Sequence, residues 1–262
     1  MILGISGRKQ AGKNTTANAL HGMVLKDIGA IDYWNIGANG QLMIELAEGW
    51  GEFDISRKDK SFVEYAEYNM WPYVKLYSFA DSLKWMCTEL FDIPHECVWG
   101  TNEQKNQVQE HLLWENMPGV YIDKYDFINA NTHPAECGLI YHEPGPMTAR
   151  EFMQFLGTDI MRKMYEPIWV NACIKKIKRE QSQLAIVADV RFPNEAKAIE
   201  NAGGTMLRLT RQIYSDDIHS SEIALDDYPF SWTINNSDKS IDHLTAEVKQ
   251  FYLNKVKPLY LN

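Results

Sequence analysis

Paired thiols are missing from this sequence. Its four cysteines, Cys87, Cys97, Cys137 and Cys173, are widely spaced and no two form a C-x-x-C pair. A disulfide framework is therefore disfavoured and a reducing compartment fits better. Long apolar runs are missing as well. Nothing approaches the length needed to cross a bilayer, and the opening MILGISG has neither a basic n-region nor an extended apolar h-region. The expectation is a cytoplasmic protein that is neither secreted nor membrane-spanning. Positive charge is in short supply: 26 Lys and Arg against 35 Asp and Glu leave a formal net charge of -9. That balance speaks against nucleic acid or an anionic membrane as the main partner. It still permits a local basic pocket for a small phosphate. Internal repeats and low-complexity tracts are also lacking, and 262 residues suffice for one large domain with insertions.

What is present is a rhythm of strands and helices. Ile2 to Ile5 form a short apolar run stopped by Ser6-Gly7, and NTTANALHGMVL then places Ala17, Leu20 and Val24 near helical spacing. A second such unit is YVKLYSFADSLKWMCTELF, whose helix ends before Pro94. In a third, Leu184 to Ala188 read as a buried strand, and Pro193 opens a helix closed by Gly203-Gly204. The strand TMLRLT follows at once. Alternation of this kind predicts an α/β fold with a mainly parallel sheet flanked by helices. Two stretches break the rhythm and read as insertions in a single 1–262 domain. Residues 31–71 are aromatic and acidic, with GQLMIEL and GEFDI as hairpin strands, and 95–146 are too long for an ordinary connection and read as a substrate-covering lid.

The loop GRKQAGKNTT matches the phosphate-binding pattern G-x-x-x-x-G-K through Gly7, Gly12 and Lys13. Glycine-loop N–H groups and a helix N-terminus make an anion cradle, and the lysine neutralises β/γ-phosphates. Asn14 stands where a hydroxyl is usual, and Thr15 and Thr16 follow, so Thr15 is expected to supply it. The strand LAIVAD ends on Asp189, a carboxylate at the sheet edge where such acids hold magnesium directly or through water. Arg191 and Glu195 come just after it, at the start of the next helix.

In MTAREFMQFLGTD, Thr148 and Glu151 form a T-x-x-E capping box. From that start Arg150, Gln154 and Thr158 fall on one face at i, i+4 and i+8. An arginine and an amide so stacked can clamp a phosphate and read a base edge. Trp169 offers a flat surface for a nucleobase, and Lys84, one turn into the helix after SFAD, can meet a phosphate at the sheet edge. His133, Cys137 and His142 match no compact zinc spacing.

Taken together, GRKQAGKNTT, FADSLK, MTAREFMQFLGTDI, Trp169, ADVRFPNEA and the late DDIHSSE…TINNS resemble, in order, the bacteriophage deoxynucleoside monophosphate kinases. The resemblance is weakest in the two insertions. It implies a P-loop kinase fold that uses ATP and Mg²⁺ to turn a deoxynucleoside 5′-monophosphate into the diphosphate. By position, Gly7, Lys9, Gly12, Lys13, Asn14, Thr15, Thr16 and Arg211 would serve ATP, with Thr15 and Asp189 on the metal. Lys84, Lys105, Arg150, Gln154, Gly157, Thr158, Trp169, Asp189 and Glu195 would hold the monophosphate. Asp189, Arg191 and Glu195 match a stretch that lies between the two nucleotides in that family. Lys13, Arg150, Asp189 and Arg191 would carry the transfer. Partners would be small nucleotides, without nucleic acid or membrane, in the host cytoplasm if the gene is viral, and the resemblance allows a homodimer. Two other readings stay open on the residues alone: a P-loop kinase for another small acceptor, such as dephospho-coenzyme A, or a nucleotide-binding protein without the reaction.

Overall fold

An unbroken apolar strand needs cover on both faces, and the runs near Ile2 and Leu184 set the architecture on that account. In the computed structural model, which describes residues 1–8, 10–57, 59–130, 140–211, 224–237 and 240–260, twelve strands are assigned. They are β1 (Ile2–Gly7), β2 (Trp34–Ile36), β3 (Leu42–Leu46), β4 (Gly49–Glu52), β5 (Val74–Tyr77), β6 (Val108–Leu113), β7 (Val120–Tyr121), β8 (Ile140–Tyr141), β9 (Pro146–Thr148), β10 (Leu184–Val190), β11 (Thr205–Thr210) and β12 (Trp232–Asn235). The α-helices are α1 (Lys13–Asp27), α2 (Lys60–Asn69), α3 (Asp81–Phe91), α4 (His95–Trp99), α5 (Asn102–Lys105), α6 (Lys124–Ala130), α7 (Ala149–Gln154), α8 (Ile168–Glu180), α9 (Pro193–Asn201), α10 (Ile241–Phe251) and α11 (Lys257–Tyr260). Among the described residues no helix is long and apolar enough to cross a membrane.

The chain divides into two compact units, Met1–Phe79 with Val170–Asn262, and Ala80–Trp169. The first holds a five-stranded sheet in the order β12-β11-β1-β10-β5, every pair parallel. From β1 the chain passes over the place of β10 to reach β5, returns to β10, then crosses β1 to lay down β11 and β12. Connections therefore diverge on either side of β1, and their crevice opens at the carboxyl ends of the strands, where open α/β sheets bind ligands. Leu3 and Ile5 share a core with Leu20 and Val24 of α1. Gly4 faces the other way, where a Cβ would come 2.8 Å from Ile199 of α9. Helices thus cover both faces, as the alternating pattern requires: this is the α/β, P-loop kinase arrangement.

α1 is buried from Thr16 to Leu25 with scarcely any amphipathic character. Its neighbours are the central strands, α10 and the antiparallel β2-β3-β4 sheet. Of the hairpin expected in the first insertion, GQLMIEL gives β3, whereas its partner β4 begins two residues before GEFDI and takes in only Gly51 and Glu52 of it. The third strand, β2, is only three residues long, too short to show alternation.

Within α1, His21 is fully buried, with Nδ1 2.8 Å from Ala17 O. Desolvation holds its imidazole down to about 4 from an ordinary 6.5, against the smaller opposing effect of that backbone bond. The neutral ring is therefore the folded form. As pH falls below 6.5 the unfolded chain takes up the proton first, so this group's stability contribution, whole above 6.5, is lost towards pH 4. The expected loss is about 1.4 kcal/mol per pH unit and ~3 kcal/mol in all. Urea unfolding at pH 7, 6 and 5 should show this acid limb flattened in His21→Gln, which stays neutral throughout.

The second unit has its own core, including Cys87, Ile93, Val98, Met147, Phe152 and Phe155. The 95–146 stretch, expected as an irregular lid, contributes α4, α5, β6, β7, α6 and β8 to it. Burial pushes the Cys87 thiol up to about 12, leaving it inert, and Cys97 and Cys173 are also buried and in no disulfide among the described residues. The Thr148–Glu151 capping box forms as read, with both reciprocal bonds present. Beyond Gln154, however, the helix continues as a π-helix from Phe155 to Arg162. Wider turns rotate each later side chain less, and four such steps keep Thr158, exposed like Gln154, near the Arg150–Gln154 face.

Candidate functional site

A phosphate-binding loop works only if its N–H groups point inward, so its carbonyl groups must find partners outside. Every described carbonyl from Gly7 to Gly12 does. Lys13 Nζ donates to Gly7 O at 2.7 Å and Arg8 O at 2.9 Å. Arg211 Nη1 donates to Gln10 O at 2.6 Å, and Asn236 Nδ2 to Ala11 O at 3.0 Å. Gly12 O takes the Thr16 N–H at 2.9 Å, the first bond of α1. The turn is tight enough to place Gln10 at φ 61° and Gly12 at φ 100°. Gly7 is required by a close approach, since a Cβ there would lie 2.8 Å from Leu209 O. No side chain caps α1 and no acid occupies its first turn, so its N-terminal donors are available to an anion.

Asn14 is exposed at the loop mouth, and Thr15 is half-buried. The Thr15 hydroxyl lies against the turn of the first insertion, where a Cβ on Gly40 would meet it at 2.5 Å. Thr16 is turned into the core at 0% exposure and contributes its N–H to the helix. Lys9 lies outside the described residues.

Asp189 stands where the register of β1 against β10 slips: Gly4 pairs with Val187 but Ser6 with Val190. The extra residue is a bulge at Ala188–Asp189, a device that re-aims a side chain at a strand end. Ser78, just past β5, donates its hydroxyl to Asp189 Oδ2 at 2.7 Å. Two hard oxygen donors thus sit one strand away from the phosphate loop. Glu195 is buried, and its Oε2 accepts the N–H groups of Arg191 at 2.8 Å and Phe192 at 3.1 Å. It fixes the main chain of Arg191, whose side chain is exposed.

On the other flank a cavity of about 600 Å³ opens at the ends of β11 and β12, lined by Arg8, Arg208, Arg211, Tyr228, Phe230 and Asn235 among others. Asp226 bridges Arg8 and Arg208, and Arg208, nearly buried, also donates to Ser6 Oγ at 3.0 Å. These ties join the cavity wall to the base of the loop. The DDIHSSE segment lies outside the described residues.

The second unit gathers a different cation set. Arg150 donates through Nε to Asn106 Oδ1 at 2.9 Å and through Nη2 to Asn102 Oδ1 at 2.8 Å. Lys105 lies beside it, its ammonium lowered first by burial and then by the Arg150 charge. The two cations repel one another, a repulsion that an anion placed between them would offset. Lys84 stands 4.5 Å over the Trp99 ring, on helices that pack together with α5 and α7. Gln154 and Thr158 are exposed. Trp169 is buried at 4% exposure, its Nε1 donating to Gly157 O at 3.0 Å, and Gly157 is buried in turn. In this conformation Trp169 and Gly157 hold one another. His142 stacks on Trp114 at 3.9 Å, whereas His133 and Cys137 lie outside the described residues.

Sequence reasoning missed Asn102, Asn106, Ser78, Arg208, Asp226 and Asn236. One signal was available: Thr101 and Gln104 form a capping box that starts α5 and places both asparagines around Lys105.

A family model described as deoxynucleotide monophosphate kinase matches residues 1–248. An Acanthamoeba polyphaga mimivirus protein whose name carries the same words is 26% identical over 187 residues, covering 65% of this chain and 79% of its own length. The deoxynucleoside-5′-monophosphate kinase of Escherichia phage T5 is 23% identical over 164 residues, 56% of this chain and 60% of the phage protein.

Proposed function

We propose, from the premise that this chain belongs to the deoxynucleotide monophosphate kinase family, that its first unit holds ATP and its second unit holds the deoxynucleoside 5′-monophosphate. The family consists of phosphotransferases acting on nucleotides. The observation that carries the division of labour is the loop whose described carbonyls all have hydrogen-bond partners, together with a separate Arg150–Lys105 pair in the other unit. The first suits a polyphosphate, the second a lone phosphate.

On this reading the loop N–H groups and Lys13 cradle the β- and γ-phosphates, and the cavity between Arg208, Arg211 and Phe230 takes the donor nucleoside. The donor set at Asp189 and Ser78 fits Mg²⁺, which favours one or two carboxylate oxygens and keeps most of its water. When bound there, the ion neutralises charge on the transferring phosphate. Arg150 and Lys105 seat the acceptor phosphate, and Asn102 and Asn106 fix the guanidinium plane before it arrives. Acceptor oxygens are already ionised near neutral pH, so positioning and charge stabilisation suffice without a general base. Arg191, its main chain pinned by Glu195, adds a cation next to Asp189.

Incubation with ATP, Mg²⁺ and each deoxynucleoside monophosphate in turn should yield the matching diphosphate and one ADP per turnover, followed by anion-exchange chromatography. Nucleotide binding with no diphosphate from any acceptor would overturn the proposal, as would turnover of dephospho-coenzyme A alone.

A further inference from the structure

One buried amide braces the phosphate loop from behind. Asn236 follows β12 and is 3% exposed. Its backbone N–H donates to Thr210 O at 2.7 Å, which fixes the residue independently of its side chain. Its Nδ2 donates to Ala11 O at 3.0 Å, 225 positions away in the chain. Oδ1 is buried without a hydrogen-bond partner among the described residues. The group is thus held at this place for its donor end.

A planar trans peptide points its C=O and N–H in opposite directions. Fixing Ala11 O on Asn236 therefore turns the Gly12 N–H away from it, and Gly12 sits at φ 100°, a conformation that glycine alone adopts freely. We infer that Asn236 is a positioning residue for the phosphoryl donor: its amide sets the Ala11–Gly12 peptide so that the loop presents N–H groups to the donor phosphates. The inference rests on the donor-site reading above, but its test reads ATP binding, so failure of transfer and failure of this inference are separate results.

Asn236→Asp keeps the shape and loses the donor whenever the carboxyl is ionised. Once protonated, its O–H can donate to Ala11 O again, and burial raises the pKa of such a group towards the working range. Charged or titratable groups that face this place are Lys13 on α1, Arg211 after β11 and His243 on α10, whose Nε2 is 3.3 Å from Asn235 O. Wild-type measurements at the same pH values give the baseline.

ATP dissociation constants are measured calorimetrically in Mg²⁺ at pH 8 and pH 6 for the wild type, Asn236→Asp and Asn236→Ala, with unfolding midpoints for each. At pH 8 both variants are expected to bind ATP roughly 10–30-fold more weakly. At pH 6 Asn236→Asp recovers most of that loss and Asn236→Ala does not. The KM for the monophosphate stays within about twofold throughout. Wild-type ATP affinity in Asn236→Ala would overturn the inference. So would a folded Asn236→Asp that is equally weak at both pH values, or a matching recovery in Asn236→Ala.

Discussion

The Lys13→Ala variant is expected to lose about 10²–10³-fold in kcat, with a change in unfolding free energy of only about 1–2 kcal/mol. The two effects separate because Lys13 has two jobs. At rest its ammonium closes the loop on Gly7 O and Arg8 O, bonds made at the half-exposed rim whose loss costs little stability. On the proposed reading it opposes charge on the migrating phosphate during transfer, where one preorganised donor is worth far more than in solution. Lys13→Arg should recover little, since a planar guanidinium replaces a compact charge inside a loop closed to within 3 Å. Steady-state assays paired with urea unfolding check both halves. Turnover like that of the wild type in Lys13→Ala would remove the loop from the chemistry.

Arg150→Ala is the second large effect, and it should fall on the acceptor alone. Removing a charge-assisted, pre-oriented contact is expected to lower kcat/KM for the monophosphate by about 30–300-fold. The KM for ATP should change less than about twofold, because Arg150 and the phosphate loop belong to different compact units. Arg150→Lys should not restore activity. Lysine presents its donors from a single nitrogen and cannot reproduce the planar fork whose Nε and Nη2 engage Asn106 and Asn102. Adding Lys105→Ala should cost less in the Arg150→Ala background than alone, since on the proposed reading the two cations serve one anion. An equal rise in both KM values would assign Arg150 a structural role instead.

Which parts of this arrangement could be read along the chain follows from the range of the forces involved. The strand–glycine–helix step at Gly7 to Lys13 and the T-x-x-E box at Thr148 are local, and each formed where the residues say. Asp189 was legible because a buried apolar run ending in an acid is a local signal too. The bulge that aims it was not, since a register slip is a property of two strands. The π-helical stretch from Phe155 was not legible from the 3.6 period, although Thr158 stays exposed like Gln154. Braces such as Asn236 to Ala11 and Arg211 to Gln10 connect residues more than 200 positions apart. Periodicity over four residues contains no trace of them. Trp169 illustrates the opposite difficulty: its type suggested a platform for a base, while its indole N–H is engaged with Gly157 O in the interior.

The helix behind the phosphate loop has no free side from Thr16 to Leu25. Close-packed neighbours all round tolerate almost no change in side-chain volume, which makes this segment a poor substrate for adaptation. Drift in donor affinity between relatives should therefore accumulate at the loop's open positions, Arg8, Gln10 and Asn14, and at the distant residues that hold them. A lineage meeting a new nucleotide pool would retune the rim and leave the post untouched.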